Sequence, residues 1–575
     1  MLTPVDRETE AELRERVDVD ELDRHVDAFD STERISGTDG EWAASEYVVE
    51  TLREYGYSAE IREFEGYISV PENGRLDVTA PTQETFDEAI TTSFSASTPP
   101  DGVSGEVVRV DEVTEQTVAT ADLEGKIAFT TGLPTPEPIT LFEAAGAEAV
   151  VCQSVNPEQL HEMIVTPVWG TPGLDDERSI PDLPVVEITK DAGDWLVDRC
   201  DEAPVKATVT TQVTTELTTL PCPVGRVKGT KSDRYMVVGN HVDSWYEGIT
   251  DNATAMAATL ELARIVADDP PARGLVFGFW PAHSTGRYAG SAWWADQEWL
   301  DLRENGVAYY HLDLNGIQDA DGLWHQEMAE LSEEHLDVLE TAGDLPLLKD
   351  DDAGFLGDDR PARNSDQSFW GAGLTSLLSG ARMEPGGKGG PVGGGWWWHT
   401  PEDTRDKVDL DVLAEETRIT VTLVNRICDS PVLPHDHRAA VGDIREQVGG
   451  IEAETDQHFE AVYEDLDLLD AALEKAYAVI DDLDGWDSPT ISAAEDLQVN
   501  LSNELVPALY MSRRDYDHEP ALPHKPLPEL RRAAGVDGTR RRERFAETTL
   551  TREVTRLRHR LRKAQEAAES FLTER

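Results

Sequence analysis

Tyr235-Met-Val-Val-Gly-Asn-His-Val-Asp243 is an apolar run that ends in a histidine and an aspartate. Two later segments have the same form: Gly274 to Trp280 leads into His283, and Val307 to Leu312 leads into Asp313. Short apolar runs of this kind are typical of strands buried in a parallel sheet. In such sheets, ligands bind beyond the carboxyl ends of the strands. We therefore predict three parallel strands that bring their polar residues to one edge.

The segment between the first two strands predicts a helix, which Asn252 is placed to cap. The apolar face of this helix would consist of Met256, Leu260, Ala263 and Ala267. Strand, helix and strand in this order form the crossover unit of a parallel sheet. The expected fold class is α/β, with a mixed, mainly parallel sheet and helices on both of its faces.

The polar residues at the strand ends have the character of metal ligands. Asp243, two positions after His241, can hydrogen-bond the ring of His241 and fix its tautomer. Asp251 could bridge two metal ions about 3.5 to 4 Å apart, or it could belong to a turn before the helix. Asp313 would be costly to bury unpaired, so a nearby cation or a buried salt bridge is expected. A metal site is the leading hypothesis.

A further histidine follows a run of glycine and tryptophan. His399 begins the segment His399-Thr-Pro-Glu-Asp-Thr404 and comes directly after Gly393-Gly-Gly-Trp-Trp-Trp398. Mobile glycines and bulky apolar side chains suit the rim of a ligand pocket. The three tryptophans could instead cover the edge of a core. We favour the pocket and predict His399 as a ligand at its rim.

The N-terminal part of the chain changes character after residue 62. Ala44 to Gly56 has helical spacing and a glycine stop, whereas Gly66 to Thr215 is rich in short strands, with one helix predicted around Leu141 to Ala149. This pattern indicates a β-rich domain inserted early in the chain. The predicted domains are residues 1–62 as the first part of a main domain, 63–217 as the insertion, 218–430 as the rest of the main domain, and 431–575 as a helical domain.

The C-terminal region carries two segments with heptad spacing, one acidic and one rich in arginine. The acidic segment contains Phe459, Val462, Leu466, Leu469, Leu473, Ala476, Ile480 and Leu483, and the basic one contains Leu550, Val554, Leu557, Leu561, Ala564, Ala568 and Phe571. Opposite charge favours their pairing in a helical bundle, which would also serve as a homodimer interface. An anion-binding arm around Arg540-Arg541-Arg542 is the alternative.

The composition excludes several classes of partner. The chain has 114 acidic and 50 basic residues and a formal net charge of −64, so it should repel nucleic acid and anionic membranes. Evenly spread acidic residues favour a halophilic protein. The first ten residues have no apolar core of a signal peptide, and no apolar run reaches the length needed to span a bilayer. Four dispersed cysteines indicate reduced thiols. We expect a cytoplasmic protein.

Together, His241-x-Asp243, Thr250-Asp251-Asn252, Leu312-Asp313 and the His399 segment resemble the M28 family of zinc metallopeptidases in order and spacing. The insertion resembles a protease-associated domain, and the helical tail resembles that of the glutamate carboxypeptidase II and transferrin receptor branch. The resemblance implies that His241 and Asp313 hold one zinc ion, that Asp251 bridges, that His399 holds a second, and that Asp243 orients His241. It implies a peptidase, by default an aminopeptidase, acting on peptides or other small amides.

One departure from the family concerns its Ala-Glu-Glu-x-Gly segment, which supplies a general base and a second-zinc ligand. This chain has Ala282-His283-Ser284-Thr285-Gly286 instead. His283 could replace the base or the ligand, because imidazole can do either. Glu247 could reach the site from its loop. Otherwise only one metal ion, or none, would bind, and the chain would be a non-catalytic binding protein like the transferrin receptor. We favour the enzyme, with His283 as catalytic residue.

Overall fold

The protein is described here from a computed structural model. It describes residues 6–156, 159–348, 364–483, 485–486, 489–523, 525–536 and 538–573. Residues 1–5, with which the predicted domain 1–62 begins, lie outside the described residues. The N-terminal part contains helices α1 (Arg7–Glu15), α2 (Val19–Phe29) and α3 (Asp39–Glu54). As predicted, α3 is followed by Gly56, whose φ of +92° suits a glycine after a helix end.

The insertion and the strands that frame it follow α3. In chain order they are β1 (Ser58–Ala80), β2 (Glu84–Phe86), β3 (Ile90–Thr91), β4 (Val103–Arg109), α4 (Glu115–Thr120), β5 (Ile127–Thr131), α5 (Pro136–Ala144), β6 (Ala149–Gln153), β7 (Val185–Ile188), α6 (Lys190–Glu202) and β8 (Lys206–Val227).

The remaining elements form the central sheet, its helices and the C-terminal bundle. They are β9 (Tyr235–His241), α7 (Thr254–Ala267), β10 (Gly274–Trp280), α8 (Ala289–Asn305), β11 (Gly306–His311), β12 (Gly322–Glu327), α9 (Ser332–Ala342), β13 (Thr375–Arg382), α10 (Leu410–Asp429), α11 (His437–Glu454), α12 (Glu460–Ile480), α13 (Pro489–Tyr510), α14 (Pro528–Ala534) and α15 (Arg540–Thr573).

The three apolar runs are adjacent parallel strands, as the sequence predicts. The central strands are ordered β12, β13, β11, β9, β10 and β8. Strand β9 pairs in parallel with β10 and with β11, so that His241 lies opposite Trp280 and Gly239 lies opposite His311. Strand β13 extends the parallel set, whereas β12 and β8 are antiparallel. The carboxyl ends of β9, β10 and β11 therefore meet at one edge.

Helices cover both faces of this sheet, which explains why its strands are apolar throughout. Met236 and Val238 of β9 pack in a core with α2, α3, α7 and α10. Val237, between them, points to the opposite face and packs with Trp294 and Leu302 of α8. The predicted α/β fold class, a mixed and mainly parallel sheet between helices, is confirmed.

The helix predicted after β9 exists, but Asn252 does not cap it. Helix α7 begins at Thr254, and its N-cap residue, Ala253, makes no side-chain cap. The Asn252 amide instead donates to the Leu312 carbonyl, and its oxygen accepts from the Leu314 N–H. The reason is that the Leu312 carbonyl and the Leu314 N–H are buried at the sheet edge, where backbone groups need hydrogen-bond partners. Asn252 thus joins the loop after β9 to the loop after β11.

The insertion is more helical than its sequence suggests. The helix predicted around Leu141 to Ala149 ends at Ala144, and Ala149 begins a strand. Helices α4 and α6 were not predicted, because α4 is short and α6 buries only a narrow stripe. Strands β4, β5, β6 and β7 form a parallel set that lies between them.

Two long strands connect the insertion to the central sheet. Strand β1 pairs antiparallel with β8 from Ser58 opposite Arg226 to Ala80 opposite Lys206. One end of β8 pairs with β10 and the other with β4. The predicted boundaries at 63 and 217 fall inside this two-stranded ribbon. The ribbon therefore fixes the insertion to the sheet through backbone hydrogen bonds.

The two heptad segments pair in the C-terminal bundle. Helix α12 contains most of the acidic heptad and α15 contains the basic one, and their apolar positions share one core. Arg558 and Arg562 of α15 donate to the carboxylate of Asp465 on α12. Arg540, Arg541 and Arg542 are exposed at the start of α15. Charge complementarity with α12 thus explains the presence of Arg558 and Arg562 in α15.

Two further expectations concern the thiols and membranes. Cys152, Cys200, Cys222 and Cys428 are all free, and all but Cys200 are buried. Among the described residues, every helix falls short of the length and apolar character that a bilayer crossing requires.

Candidate metal centre

Loops at the carboxyl edge of the sheet bring together the predicted ligands. Asp251 lies between two imidazoles: its Oδ1 is 2.9 Å from Nε2 of His241, and its Oδ2 is 3.2 Å from Nε2 of His399. Burial raises the pKa of Asp251, but hydrogen bonds with both histidines outweigh this effect and lower that pKa below its ordinary value. A carboxylate that presents one oxygen to each of two imidazoles has the geometry of a bridging group.

Asp313 completes the cluster on the side of His241. Its Oδ2 is 3.2 Å from Nε2 of His311. Its Oδ1 is buried, lies 3.5 Å from Nε2 of His241 and makes no hydrogen bond within the described residues. Burial opposes ionisation, but the neighbouring imidazoles of His241 and His311 hold the pKa of Asp313 well below its ordinary value. An ionised, buried oxygen without a donor is what a cation would satisfy.

The donor set therefore fits a metal ion. His241, His283 and Asp313 each offer a ligand atom, and these atoms all lie within 4.8 Å of one another. Imidazole nitrogen and carboxylate oxygen are ligands that zinc accepts at about 2.0 to 2.2 Å. Burial lowers the pKa of His241, but Asp243, Asp251 and Asp313 outweigh it and raise that pKa well above 6.5. A metal cation would replace the proton that these three carboxylates otherwise favour on the ring.

Asp243 acts differently from the prediction. The ring of His241 contacts the backbone carbonyl of Asp243, with Nδ1 2.9 Å from the oxygen, whereas the carboxylate is 3.7 Å away. The carboxylate accepts hydrogen bonds from the N–H groups of His283 and Ser284 and from the Ser36 hydroxyl. Of the two acceptors that Asp243 offers, the carbonyl is thus the nearer one to the His241 ring. Asp243 thus orients His241 through its main chain and holds the His283 loop with its side chain.

His283 lies against His241. Their rings stack with centroids 3.9 Å apart and planes 11° apart. The Ser365 hydroxyl is 3.4 Å from Nδ1 of His283. Burial, followed by the neighbouring His241, lowers the pKa of His283 well below 6.5. The ring is therefore neutral at neutral pH and can accept a proton or bind a metal.

The alternative residue Glu247 has no place in this cluster. Its carbonyl accepts a hydrogen bond from the guanidinium of Arg34, which also binds the carbonyls of Val242 and Gly248. Arg34 is completely buried and fixes the loop between His241 and Asp251. The walls of the pocket described below do not include Glu247.

The tryptophan run serves both of the roles that its sequence allows. Trp398 stacks on His399 at 3.7 Å between centroids and lines a pocket beside the cluster. Trp397 is buried in the main core and donates to the Thr250 hydroxyl. The pocket is walled mainly by apolar groups, some of them from the insertion: Pro136, Met163, Ile164, Leu314, Val392 and Trp398. Asp251, His283, Asp313 and His399 lie on the wall of the same pocket.

Two residues that sequence reasoning passed over support the cluster. His311 lies in the apolar run of β11, and its Nδ1 is 3.3 Å from the Tyr309 hydroxyl while Nε2 faces Asp313. Asp403 is buried, and its carboxylate accepts from the hydroxyl and N–H of Thr250 and from the N–H of Asp251. The position of Asp403, four residues after His399, was the sequence feature that could have indicated a role for it near the cluster.

Asp403→Asn should reduce both metal retention and any activity that depends on it by about 10- to 100-fold, as for other groups that orient metal ligands. The amide cannot accept from both Thr250 and Asp251, so the loop that carries Asp251 would lose its fixed position. Metal affinity by competition with a chelator would measure the effect. Asp406→Asn is the matched control, because Asp406 is exposed three residues further on. Equal affinities in the two variants would contradict the positioning role.

Asp366 lies beside the cluster, in the single-turn helix Ser365–Phe369, whose N-cap residue is Asn364. Its Oδ2 accepts from the indole N–H of Trp370. Burial raises the pKa of Asp366 to about 8. The folded protein therefore keeps a proton on Asp366 that the unfolded chain releases near pH 4.

This raised pKa predicts a pH dependence. The stability that Asp366 contributes is present below pH 4 and is lost as the pH rises toward 8, by at most about 1.4 kcal/mol per pH unit. Asp366→Asn does not titrate, so its stability relative to the unsubstituted protein should increase between pH 5 and 8. Denaturant unfolding at both pH values would measure this, and parallel pH profiles would contradict it.

Residues 224–424 match the model of peptidase family M28. This part of the chain is an M28 peptidase domain. The recognition drawn from the motifs is thereby confirmed, and the matched region contains His241, Asp251, His283, Asp313 and His399.

Named relatives include peptidases from several organisms. The probable lipoprotein aminopeptidase LpqL of Mycobacterium tuberculosis is 27% identical over 325 residues, which is 54% of this chain and 62% of that protein. Aminopeptidase NAALADL1 of Mus musculus is 31% identical over 112 residues, 18% of this chain and 15% of that protein. The matches thus span less than two thirds of the length of these relatives.

Solved structures show the same fold. The aminopeptidase from Aneurinibacillus sp. strain AM-1 aligns with a TM-score of 0.56 and 22% identity, over 73% of this chain and 96% of that one. BSAP, a zinc aminopeptidase from Bacillus subtilis, aligns with a TM-score of 0.53 and 20% identity, over 72% and 94%.

Proposed function

We propose that this protein is a metal-dependent aminopeptidase that hydrolyses peptides or other small amides. The observation that carries the proposal is the arrangement of Asp251, whose two oxygens face His241 and His399, beside a buried oxygen of Asp313 that has no donor. The M28 match and the names of the relatives support a peptidase. The site lies on a pocket wall, where a substrate has access to it.

Two zinc ions, or a single one, are the proposed cofactors. His241 and Asp313 would hold one ion, His399 the second, and Asp251 would contribute to both. Bound zinc supplies a Lewis acid for the amide carbonyl and a water whose pKa falls from 15.7 toward about 7. The imidazoles beside Asp251 and Asp313 lower the pKa values of both carboxyl groups, so both are ionised and available to a cation.

His283 is proposed as the proton acceptor in place of the family's glutamate. The ring is neutral, and Ser365 is close to Nδ1, so that Nε2 is the nitrogen left for a proton. The carboxylate of Asp243 fixes the backbone on which His283 is carried. Because a metal already lowers the pKa of water, a weaker base than glutamate is sufficient.

The pocket suggests which substrates bind. Met163, Ile164, Leu314, Val392 and Trp398 form an apolar wall next to the cluster. An apolar side chain at the N-terminus of the substrate would bury its surface there, at about 25 cal/mol per Å². We therefore propose peptides with an apolar first residue as the preferred substrates.

The outer parts of the chain carry further proposals. We propose that the insertion is a protease-associated domain that forms one pocket wall, and that the C-terminal bundle pairs two copies of the chain. The charge of −64 would be screened in molar salt, which is the proposed working medium. Light scattering across a range of KCl concentrations tests the pairing of two copies. A monomer at every concentration would contradict the homodimer.

The proposed function is tested by metal content and turnover together. Protein purified at high salt without chelator should hydrolyse leucine p-nitroanilide and should contain, by mass spectrometry, close to two zinc ions per chain more than its Asp251→Asn/Asp313→Asn variant. Chelation should abolish hydrolysis, and zinc should restore it. A difference of about one ion with turnover supports the single-ion form. No difference and no turnover after reconstitution would favour the non-catalytic binding protein, the alternative suggested by the two missing glutamates.

A further inference from the structure

A second cluster of metal-binding side chains lies away from the pocket, between strand β12 and helix α9. His325 and Glu327 are two residues apart on β12, so they share one face of the strand. His335 reaches them from α9. Oε2 of Glu327 is 2.9 Å from Nδ1 of His325 and 2.8 Å from Nδ1 of His335. The three ligand atoms all lie within 4.8 Å of one another.

Two members of this cluster, Glu327 and His335, are also hydrogen-bonded by groups outside it. Oε1 of Glu327 accepts from the Ser332 hydroxyl. Nε2 of His335 is 3.2 Å from the Ser379 hydroxyl, which in turn is 2.7 Å from the hydroxyl of Tyr310. Partners of this kind fix the orientation of metal ligands, and here they come from β11, β13 and α9.

Burial and access suit an exchangeable ion. His335 is completely buried and Glu327 is 8% exposed, whereas the side chain of His325 is 22% exposed. Among the three described members, His325 is therefore the one most accessible to solvent. The two histidines lower the pKa of Glu327 against the effect of burial, so its carboxylate is ionised at neutral pH.

We propose that His325, Glu327 and His335 form a binding site for a divalent transition metal ion of the zinc class, separate from the cluster around Asp251. Two imidazole nitrogens and one carboxylate oxygen are ligands that select zinc over calcium or magnesium. Ligand distances of about 2.0 to 2.2 Å require these atoms to be about 3.3 Å apart. Small rotations of the His325 ring and of the Glu327 carboxylate would open the contacts of 2.9 and 2.8 Å to this spacing, and water would take the fourth position.

The site has a structural consequence for the pocket. Trp324 precedes His325 on β12 and points to the opposite face, where it lines the substrate pocket. Strand β12 ends the sheet and has only β13 as a strand neighbour among the described residues. A metal ion between β12 and α9 would fasten the edge strand that carries this part of the pocket wall.

The experiment uses the full chain with the first cluster disabled by Asp251→Asn and Asp313→Asn. After chelation and dialysis, this protein is loaded with Zn²⁺ and its metal content measured by mass spectrometry. We expect about one ion per chain and a rise in Tm with Zn²⁺. Adding His325→Gln, at the partly exposed position, should remove both. His518→Gln is the matched control, because His518 also faces a carboxylate, Asp296 at 3.0 Å, and is similarly exposed.

The outcomes are distinct from those for the peptidase proposal. In the otherwise unsubstituted chain, His325→Gln should lower the zinc content by one ion while amide hydrolysis persists. Zinc content that is the same with and without His325→Gln, in both backgrounds, would overturn the site. The same holds if the folded chain with the first cluster disabled retains no zinc and shows no change in Tm.

Discussion

Asp251→Ala is expected to lower kcat/KM for amide hydrolysis by at least about 10³-fold, equivalent to about 4 kcal/mol of transition-state stabilisation. Within the described residues, Asp251 is the only carboxylate that pairs with both His241 and His399, one through each oxygen. Alanine leaves the two imidazoles with no shared anion and leaves Asp313 as the remaining proposed carboxylate ligand. Steady-state kinetics on leucine p-nitroanilide would measure the loss, and mass spectrometry should show a parallel loss of metal.

The matched control for this experiment is Asp268→Ala. Asp268 is the C-cap residue of α7, at the far end of the helix that Asp251 precedes, and its side chain is 84% exposed. The control removes the same carboxylate without touching the cluster, so its rate should match that of the unsubstituted protein. A folded Asp251→Ala protein that hydrolyses the substrate within about 10-fold of the control would rule out a bridging role for this carboxylate.

The strands and most ligands of the cluster could be predicted because buried strands produce a simple sequence pattern, an apolar run followed by polar residues. Strands with helices on both faces are apolar throughout, so the polar residues at their ends stand out in the sequence. His241, His283 and Asp313 were found in this way, and the sheet brings their loops together. Asp251 and His399 depended on motif spacing, because neither follows a strand directly.

Hydrogen bonds between distant loops were not predictable in the same way. Asn252 is a residue type that often caps helices, yet its side chain lies beside the loop after β11 and bonds the backbone of Leu312 and Leu314 instead. His311 was counted with the apolar run, since one histidine in a strand gives no sign of which group it faces. The Asp243 carboxylate was expected on His241, but the turn after β9 presents its carbonyl instead. Which hydrogen-bond partner a polar group takes depends on shifts of a few ångströms in the backbone, and these are not readable from the sequence.

His283→Ala is expected to lower kcat by about 10²- to 10⁴-fold, the range that general base catalysis usually contributes. The KM and the metal content should change little, because the proposed ligands His241, Asp251, Asp313 and His399 remain. Alanine removes the only imidazole that stacks on His241 within the described residues. Stopped-flow and steady-state rates, with zinc content on the same samples, would measure the effect.

His283→Glu provides the conservative partner for this variant. A carboxylate at the same position restores the kind of base found in the family's Ala-Glu-Glu-x-Gly segment, so it should recover part of the rate lost with alanine. Ser365→Ala is the control for packing, because it removes the hydroxyl near Nδ1 and leaves the ring in place. Its rate should fall far less than that of His283→Ala.

The combination of rate and metal content distinguishes the roles that an imidazole could have at this position. A lower kcat with the full zinc content is expected of a proton acceptor. A loss of one zinc ion together with the rate would instead make His283 a ligand, because its ring offers an atom within 4.8 Å of those of His241 and Asp313. An unchanged rate in an active preparation would exclude both roles. Since the stacked ring lies beside the proposed ligands, any true contribution of His283 to hydrolysis must appear in one of these two measurements.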